Sequence, residues 1–398
     1  MCCAGYLAER RVGAQSPPFN SGSNGSDGAL NLTTPGTIIF NPKDTSLFPT
    51  PLDPDGDNIY HFTTINIGSG VTVKLTGHFL SGPVFWLASG PVTINGVIDL
   101  SGESGRSQTN ISSERVPSVA GSGGFGGGIG GRFSSPNPPL PGNGPGGGQA
   151  ETTNSPQSNA GGGRFTGNQF LVPLIGGSGG GGSGCSCGET FGSGGGAGAG
   201  AILIASSNGI TMNGGQILAN GGNGPGSGCA CGPGPGSGGA IRLVASTVTL
   251  NQGSAARALG GVGIANATDG IIRVEAFNVV INSGGFFPPR LQSLPFSLLL
   301  PTSPAPSVRV LSVNGVPINS NPFTFPDALI NTASPVTVNI EARNVPTGTI
   351  PRLLVFSETG PDQTLNCSPL AGSLALSTST ATVTFPTGGS RGFVKAIW

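Results

Sequence analysis

The chain has 398 residues with 17 basic and 17 acidic side chains, so its formal net charge is zero. Only 9% of the residues are charged, which excludes the basic surface that an electrostatic nucleic-acid binder needs. No apolar run in the sequence approaches the ~20 residues of a membrane span. The length suits two or three domains, and 73 glycines with 35 prolines raise the question of low complexity.

Residues 1–56 are polar and are predicted to cap the first coil of a repeat structure, because the ends of solenoids need covering. The first residues lack the apolar centre of a signal peptide, although Gly13 to Ser16 resemble the end of a cleavage region. A start assigned too far downstream, or a truncated sequence, would leave such a remnant. We therefore expect a secreted or cell-surface protein, from composition more than from a visible signal.

An acidic stretch, Asp53-Pro54-Asp55-Gly56-Asp57, ends this segment. Alternate carboxylates suit calcium, but the glycine comes too early for an EF-hand loop. An ordinary Asp-Gly turn is the favoured interpretation. The sequence thus predicts no cofactor here, with a calcium loop of Asp53, Asp55 and Asp57 as the alternative.

Residues 57–285 contain a repeated pattern of short strand-like runs separated by turns. Tyr60 to Leu75 is the first copy, with Ile65, Ile67, Val71 and Val73 predicted to face inward. Later copies are 83–102, 200–222, 240–261 and a weaker one from Ile272. Units this small bury a core only when stacked, which predicts a parallel solenoid of about five coils.

Alignment of the copies gives columns of residues that should share one interior, because positions two apart on a strand face the same side. The predicted inward columns of the first strand are Val84, Ala201, Ile241 and Ile272, then Trp86, Leu203, Leu243 and Val274. Those of the second strand are Val92, Ile210, Val248 and Val279, then Ile94, Met212, Leu250 and Ile281. The third strand aligns Ile98, Ile217 and Ala256.

Asparagines follow the second strand in four copies, at Asn95, Asn213, Asn251 and Asn282. Stacked asparagines can hydrogen-bond one coil to the next, although four independent turn residues would give the same letters. With this column the chain resembles the right-handed parallel β-helix class of pectate-lyase-like architecture, which often carries such ladders. The fold expected from the resemblance is all-β, a right-handed parallel β-helix with long glycine-rich loops.

The outward columns are apolar in the early copies and charged in the late ones, where they contain Arg242, Arg273 and Glu275. We expect the last coil to be exposed to water. We expect the apolar outer positions of the early copies to be covered, namely Phe85, Leu87, Ile202 and Ile204. The insertion at 103–199 is the large candidate for that cover. Its predicted contacts are Phe125, Ile129, Phe133, Phe165, Phe170, Leu171 and Ile175. Glycine-rich chain is typical of flexible linkers, but it can also pack as closely apposed extended segments.

A proline-punctuated linker is predicted over 286–306, with an apolar run that packs along a domain surface. Residues 307–398 have less glycine and more β-branched alternation. Several short strands within about 90 residues indicate a small Ig-like or fibronectin-like β-sandwich.

Two Cys-x-Cys motifs, Cys185-Ser186-Cys187 and Cys229-Ala230-Cys231, stand in near-identical glycine loops that each lead into the next coil. Stacked coils lie about 4.8 Å apart, within the Cα spacing of a disulfide. We predict bridges from Cys185 to Cys229 and from Cys187 to Cys231. A four-thiolate zinc site is the alternative, although its usual ligand spacing is wider.

The order of cap, glycine-looped coils and sandwich resembles a group of uncharacterised, glycine-rich, exported bacterial proteins. The resemblance covers 57–285 and depends on the motif [VI]-T-[IML]-N and the Gly-Ala-Ile lead-in at Gly200 and Gly239. It implies a fold and assigns no catalytic residues.

We therefore expect a structural or adhesive secreted protein, adhesin-like and without catalytic activity, which contacts extracellular polysaccharide or other copies of itself. The alternative is a polysaccharide lyase, a glycoside hydrolase or a carbohydrate-binding module. Its weak catalytic candidates are Arg242, Arg273 and Glu275, because such enzymes cluster carboxylates with basic groups.

Overall fold

The computed structural model describes residues 19–53, 56–107, 115–133, 136–152, 159–184, 191–225, 232–295, 298, 300–301, 306–318, 327–357, 359–387 and 392–398. Over these ranges the protein is all-β and contains no helix, which confirms the predicted class. Two sheets are parallel and two are antiparallel.

The parallel sheets are built from fifteen strands. They are β1 (Leu30–Leu32), β2 (Gly36–Ile39), β3 (Ile59–Phe62), β4 (Ile65–Ile67), β5 (Val71–Lys74), β6 (Val84–Ala88), β7 (Val92–Ile94), β8 (Val97–Asp99), β9 (Ala201–Met212), β10 (Gln216–Leu218), β11 (Ala240–Leu250), β12 (Ser254–Arg257), β13 (Ile271–Ile281), β14 (Gly284–Phe287) and β15 (Leu291–Ser293). The first sheet has nine strands along the path β1-β4-β7-β9-β11-β13-β15, with β3 and β6 beside it, and the second has six in the order β14-β12-β10-β8-β5-β2.

Each repeat supplies one strand to the second sheet, so the stack holds one repeat more than the predicted five or so. Parallel pairing begins at Leu30, within the segment predicted as a cap, and continues to Ser293, within the predicted linker. Short strands at both ends explain the difference, because three-residue runs such as Leu30–Leu32 give little periodicity to detect.

The core between the parallel sheets follows the predicted columns in most places. Ile98 pairs with Ile217 and Ile217 with Ala256, which confirms the third-strand column. Val92 pairs with Ile210 and Ile210 with Val248, as predicted for the second strand.

The first-strand prediction was wrong by one residue in β9. Val84 pairs with Ile202 and Trp86 with Ile204, so Ile202 and Ile204 face the core while Ala201 and Leu203 face outward. Residues 201–206 are buried on both faces, and a strand buried on both faces is a continuous apolar run whose alternation is hidden.

A second apolar cluster covers the outside of the first sheet. Its outward strand residues include Phe85, Leu87 and Leu203, and its cover includes Leu171 and Leu174 of the insertion. Phe165 packs against it, as do Leu298 and Leu300 from the predicted linker. The insertion therefore covers this face as predicted, with help from the linker. Five of its seven predicted contacts lie outside the cluster: Phe125, Ile129, Phe133, Phe170 and Ile175.

Most of the glycine-rich chain forms one hydrogen-bonded body, the glycine bundle. It comprises residues 100–106, 118–131, 140–149, 160–164, 176–184, 192–200, 219–224, 232–239 and 258–263. Phe125, Gly128 and Gly131 donate their N–H groups to carbonyls of Gly177, Gly180 and Ser183. The carbonyl oxygens of Phe125, Gly128 and Gly131 in turn accept hydrogen bonds, from the N–H groups of Gly198, Gly195 and Gly192 respectively.

This spacing of three residues is the period of the polyproline II helix, which has no internal hydrogen bonds and turns its backbone groups toward neighbours. The glycine-rich chain therefore packs as closely apposed extended segments and does not form a flexible linker. Glycine is required for space: a Cβ on Gly130 would lie 1.7 Å from the Gly192 carbonyl oxygen, and one on Gly222 would lie 1.8 Å from that of Glu103. Only Gly123 and Gly144 among the bundle glycines have a positive φ.

The C-terminal residues form two antiparallel sheets over one apolar core that includes Val338, Ile340, Leu353 and Val355. The strands are β16 (Ser307–Val313), β17 (Val316–Pro317), β18 (Val336–Arg343), β19 (Arg352–Ser357), β20 (Gln363–Asn366), β21 (Ala371–Gly372), β22 (Ser377–Val383) and β23 (Gly392–Ile397). One sheet has the order β17-β16-β18-β22-β21 and the other β20-β19-β23.

Candidate functional site

The charged residues predicted as weak catalytic candidates lie together on the outer face of the first parallel sheet. Register places Arg242 beside Arg273, and Val244 beside Glu275, on adjacent strands. Arg242 donates from Nε to Glu275 Oε1 at 3.0 Å and from Nη2 to Oε2 at 3.2 Å. Arg273 Nε donates to the same Oε1 at 2.7 Å. The two guanidinium groups thus share one carboxylate.

This triad is buried, whereas we expected the last coil to meet water. Arg242, Arg273 and Glu275 are 1%, 6% and 0% exposed. The cover comes from two other parts of the chain: Arg273 Nη1 donates to the Gln169 carbonyl at 3.2 Å, and its Nη2 donates to Ser293 Oγ at 2.8 Å. The expectation was wrong because the strand pattern carries no information about what packs over it.

The phenyl ring of Phe170 completes the cover, with the Arg273 guanidinium 5.3 Å from its centroid. A buried carboxylate that is bidentate with one arginine and shared with a second has its oxygens occupied. In this arrangement the triad cannot contact a polysaccharide chain in solvent. Its chemistry is that of a buried ion cluster, which is costly to break when one partner is removed.

The predicted asparagine column is brought together in one line. Asn213 donates from Nδ2 to Asn95 Oδ1 at 3.0 Å, Asn251 to Asn213 at 2.6 Å, and Asn282 to Asn251 at 2.6 Å. Every bond runs from one repeat to the repeat before it. The ladder therefore has a direction, and at its last asparagine the Oδ1 acceptor receives no ladder bond.

Beside the ladder lies a second outward rank of small polar side chains. Thr93, Thr211 and Thr249 occupy equivalent register positions, and Val280 ends the rank. In the opposite direction, beyond Thr93, the rank continues with Asn66, whose Nδ2 donates to Asn31 Oδ1 at 2.8 Å. The ladder and this rank give the outer face a regular, uncharged set of amide and hydroxyl groups.

The acidic stretch forms a turn held by its own carboxylates. Asp53, which has a positive φ of 53°, accepts from the backbone N–H of Asp57 at 2.9 Å and from that of Asn58 at 3.0 Å. Asp57 in turn accepts from the N–H of Ile59 at 2.8 Å. Asp55 lies outside the described residues. The bond from Ile59 to Asp57 has the spacing of an Asx turn, whereas the Asp53 carboxylate closes a longer loop.

The four loop cysteines, Cys185, Cys187, Cys229 and Cys231, also lie outside the described residues. The chain on either side of them is described and close together. The Gly234 N–H donates to the Gly181 carbonyl at 2.9 Å, and the Ala160 N–H donates to the Gly232 carbonyl at 3.1 Å. Cys367 is a buried free thiol in the C-terminal core.

One buried contact that sequence reasoning missed connects the insertion with the C-terminal sheets. Arg115, 2% exposed, donates to both carboxylate oxygens of Asp362 at 2.5 and 3.0 Å, and to the Ser357 carbonyl at 2.9 Å. Lys395 adds a bond to Asn143 at 2.8 Å, and burial lowers the pKa of this lysine. No local motif announces a pair so far apart in the chain.

The two histidines offer no triad-like arrangement in the described structure. Burial lowers the pKa of His78, and the nearby carboxylates of Glu103 and Asp327 oppose that shift. Within the same ranges no three metal-ligating side chains converge on one point. Nor does any helix there have the length and apolarity of a membrane span.

The comparisons with known proteins return nothing to which this chain is similar: no family model, no curated protein and no solved structure matches it.

Proposed function

We propose that the two parallel sheets are faces of a right-handed parallel β-helix, and that the C-terminal sheets form an Ig-like or fibronectin-like sandwich. Repeated in-register parallel pairing with one strand per repeat in the second sheet supports the helix, and parallel crossovers are almost always right-handed. Two antiparallel sheets over one core support the sandwich. The proposal retains the resemblance to glycine-rich exported bacterial β-helix proteins.

The function that we propose is structural or adhesive, at the cell surface or in the extracellular matrix, without catalysis. The observation that carries it is the sealed ion triad: Glu275 pairs with both Arg242 and Arg273 beneath the insertion, and all three side chains are buried. An enzyme of this architecture would need such groups open to a glycan. In this chain the three side chains instead hold the insertion against the first parallel sheet.

Activity assays on pectin, alginate and neutral plant glycans test this function directly. We expect no depolymerisation and no unsaturated product. Turnover that is lost in Glu275→Gln, with the variant still folded, would assign catalysis to the triad and overturn the proposal. Detection of the native protein in the medium or at the cell surface tests the proposed location.

A carbohydrate-binding module is the second candidate, and the outer face of Asn213, Asn251, Thr211 and Thr249 favours it. Uncharged amides and hydroxyls at the ~4.8 Å strand spacing suit hydrogen bonding to a neutral glycan. Sedimentation with insoluble polysaccharide should then fall in Thr211→Lys. The matched control is Gln216→Lys on the other sheet, where β10 places a half-buried outward side chain.

A further inference from the structure

The two ends of the parallel stack are finished differently. At the first repeat, Leu30 and Leu32 are 2% and 9% exposed, because Phe40, Phe48 and Leu52 pack in the same core cluster beyond them. Solenoid ends need such a cap. At the other end, β15 pairs only with residues 273–275 of β13 and leaves 276–281 without a neighbouring strand in the described structure.

Core residues are exposed at this open end. Ile94, Met212 and Leu250 are all fully buried, whereas Ile281 in the same inward column is 40% exposed. In the preceding column Val248 is buried and Val279 only partly so. The exposure is what an interior position shows when the next strand is missing.

The open edge also lacks the features that normally discourage strand pairing. Residues 276–281 contain no charged side chain and no proline, and β13 pairs with β11 without a register shift there. Exposed edges are usually protected by lysine, proline, bulges or a covering segment. In the part of the chain that the structure describes, this edge is unprotected and carries an exposed core residue, which marks an interaction surface.

We infer that this edge binds the same edge of a second copy of the chain, antiparallel, about a two-fold axis at Val280. In that register Val279 lies opposite Ile281 on the core side. Asn278 lies opposite Asn282 on the outer side, where the acceptor that ends the ladder meets an amide donor. The pairing is isologous, so it closes as a dimer.

Features of the edge itself favour a second copy as the occupant. Self-pairing brings like residues together, and an uncharged edge makes that free of repulsion. The opposite end of the stack is a different surface, because Phe40 and Phe48 follow its first strands and are buried in the core cluster. The inference is independent of whether the protein is adhesive or binds carbohydrate.

The test measures molar mass of the full chain by sedimentation from micromolar to near-millimolar concentration. We expect a dimer whose Kd rises roughly tenfold or more in Val280→Lys, since this change places two like charges directly opposite each other. Thr249→Lys is the matched control: it changes the same half-buried rank one strand further in, and should leave Kd unchanged. If Val280→Lys does not fold, Asn278→Lys replaces it.

Hydrogen exchange of the amides in 276–281 provides the second measurement. We expect protection that disappears on dilution of the wild-type protein in step with the dimer. A monomer at every concentration overturns the inference, whether the amides are open or are covered by another segment of the chain. A dimer that both lysine variants leave intact also overturns it, because the contact must then lie elsewhere.

Discussion

The parallel sheets and the glycine bundle bury backbone in opposite ways. In the sheets, side chains such as Ile98 and Ile217 fill the space between two hydrogen-bonded surfaces and are fully buried. In the bundle, neighbouring segments hydrogen-bond so closely that a Cβ at Gly130 would meet a carbonyl oxygen at 1.7 Å. The first body therefore depends on side-chain volume, and the second on its absence.

The buried triad holds residues 169–170 of the insertion against the first parallel sheet, and its loss should have the largest effect. Glu275→Gln leaves two buried guanidinium groups without their carboxylate, which should cost about 3–5 kcal/mol of stability. Denaturant and thermal unfolding measure it. The control is Glu341→Gln. Arg309 and Arg343 share the Glu341 carboxylate on the surface, and both arginine side chains are about half exposed. The loss of stability there should stay below about 1 kcal/mol. Equal losses would mean that the triad is not sealed.

A methyl group added to the bundle should have the next largest effect. Gly130→Ala forces the backbone of residue 192 to move and should cost about 3 kcal/mol, the upper end of ordinary overpacking. Gly209→Ala in β9 is the control, since its Cβ would meet only the Thr247 oxygen at 3.3 Å, with an effect within about 1 kcal/mol. Equal tolerance at both sites, in melting temperature and proteolysis, would contradict a close-packed bundle.

Loop cysteines test whether the bundle is also cross-linked. We predict two disulfides between 185–187 and 229–231, whose reduction should cost about 2 kcal/mol. Mass spectrometry without reductant should find these four cysteines oxidised and Cys367 free, which makes Cys367 the internal reference. Bound zinc, with four thiols released by chelation, would establish the alternative metal site.

The asparagine ladder should give the smallest effect, because its members are solvent-accessible. Asn213→Ala removes the bond to Asn95 and the bond from Asn251, and should lower stability by about 1 kcal/mol. Asn208→Ala is the matched control, because Asn208 is an exposed asparagine in β9, the strand that Asn213 follows, and lies off the ladder. A ladder substitution as neutral as the control would show that the column only reflects turn preference.

Much of the parallel body could be predicted from the sequence, because side chains alternate on a strand. Ile98, Ile217 and Ala256 were aligned by that alternation and pair as expected. The alternation failed at Ala201 to Ile204, where the outer face is as apolar as the inner one. Two-faced burial removes the contrast from which the register is read.

The bundle and the triad could not be predicted in this way. Backbone-to-backbone packing leaves no periodic pattern of side chains. The sequence around Gly128 and Gly180 would therefore be the same in a flexible linker as in the packed glycine bundle. The triad was located on one face from spacing, but its burial depends on Gln169 and Ser293, which come from other parts of the chain. Such contacts follow from tertiary packing and have no local signal.

The close approach of the bundle segments has a consequence for how this protein can change over generations. Every single-base change in the first or second position of a glycine codon introduces a Cβ or a stop. At positions such as Gly130 and Gly222, each of these replacements collides with backbone. Gradual substitution is therefore closed to these positions of the bundle. The bundle can lengthen or shorten only by whole segments, as repeats are gained and lost.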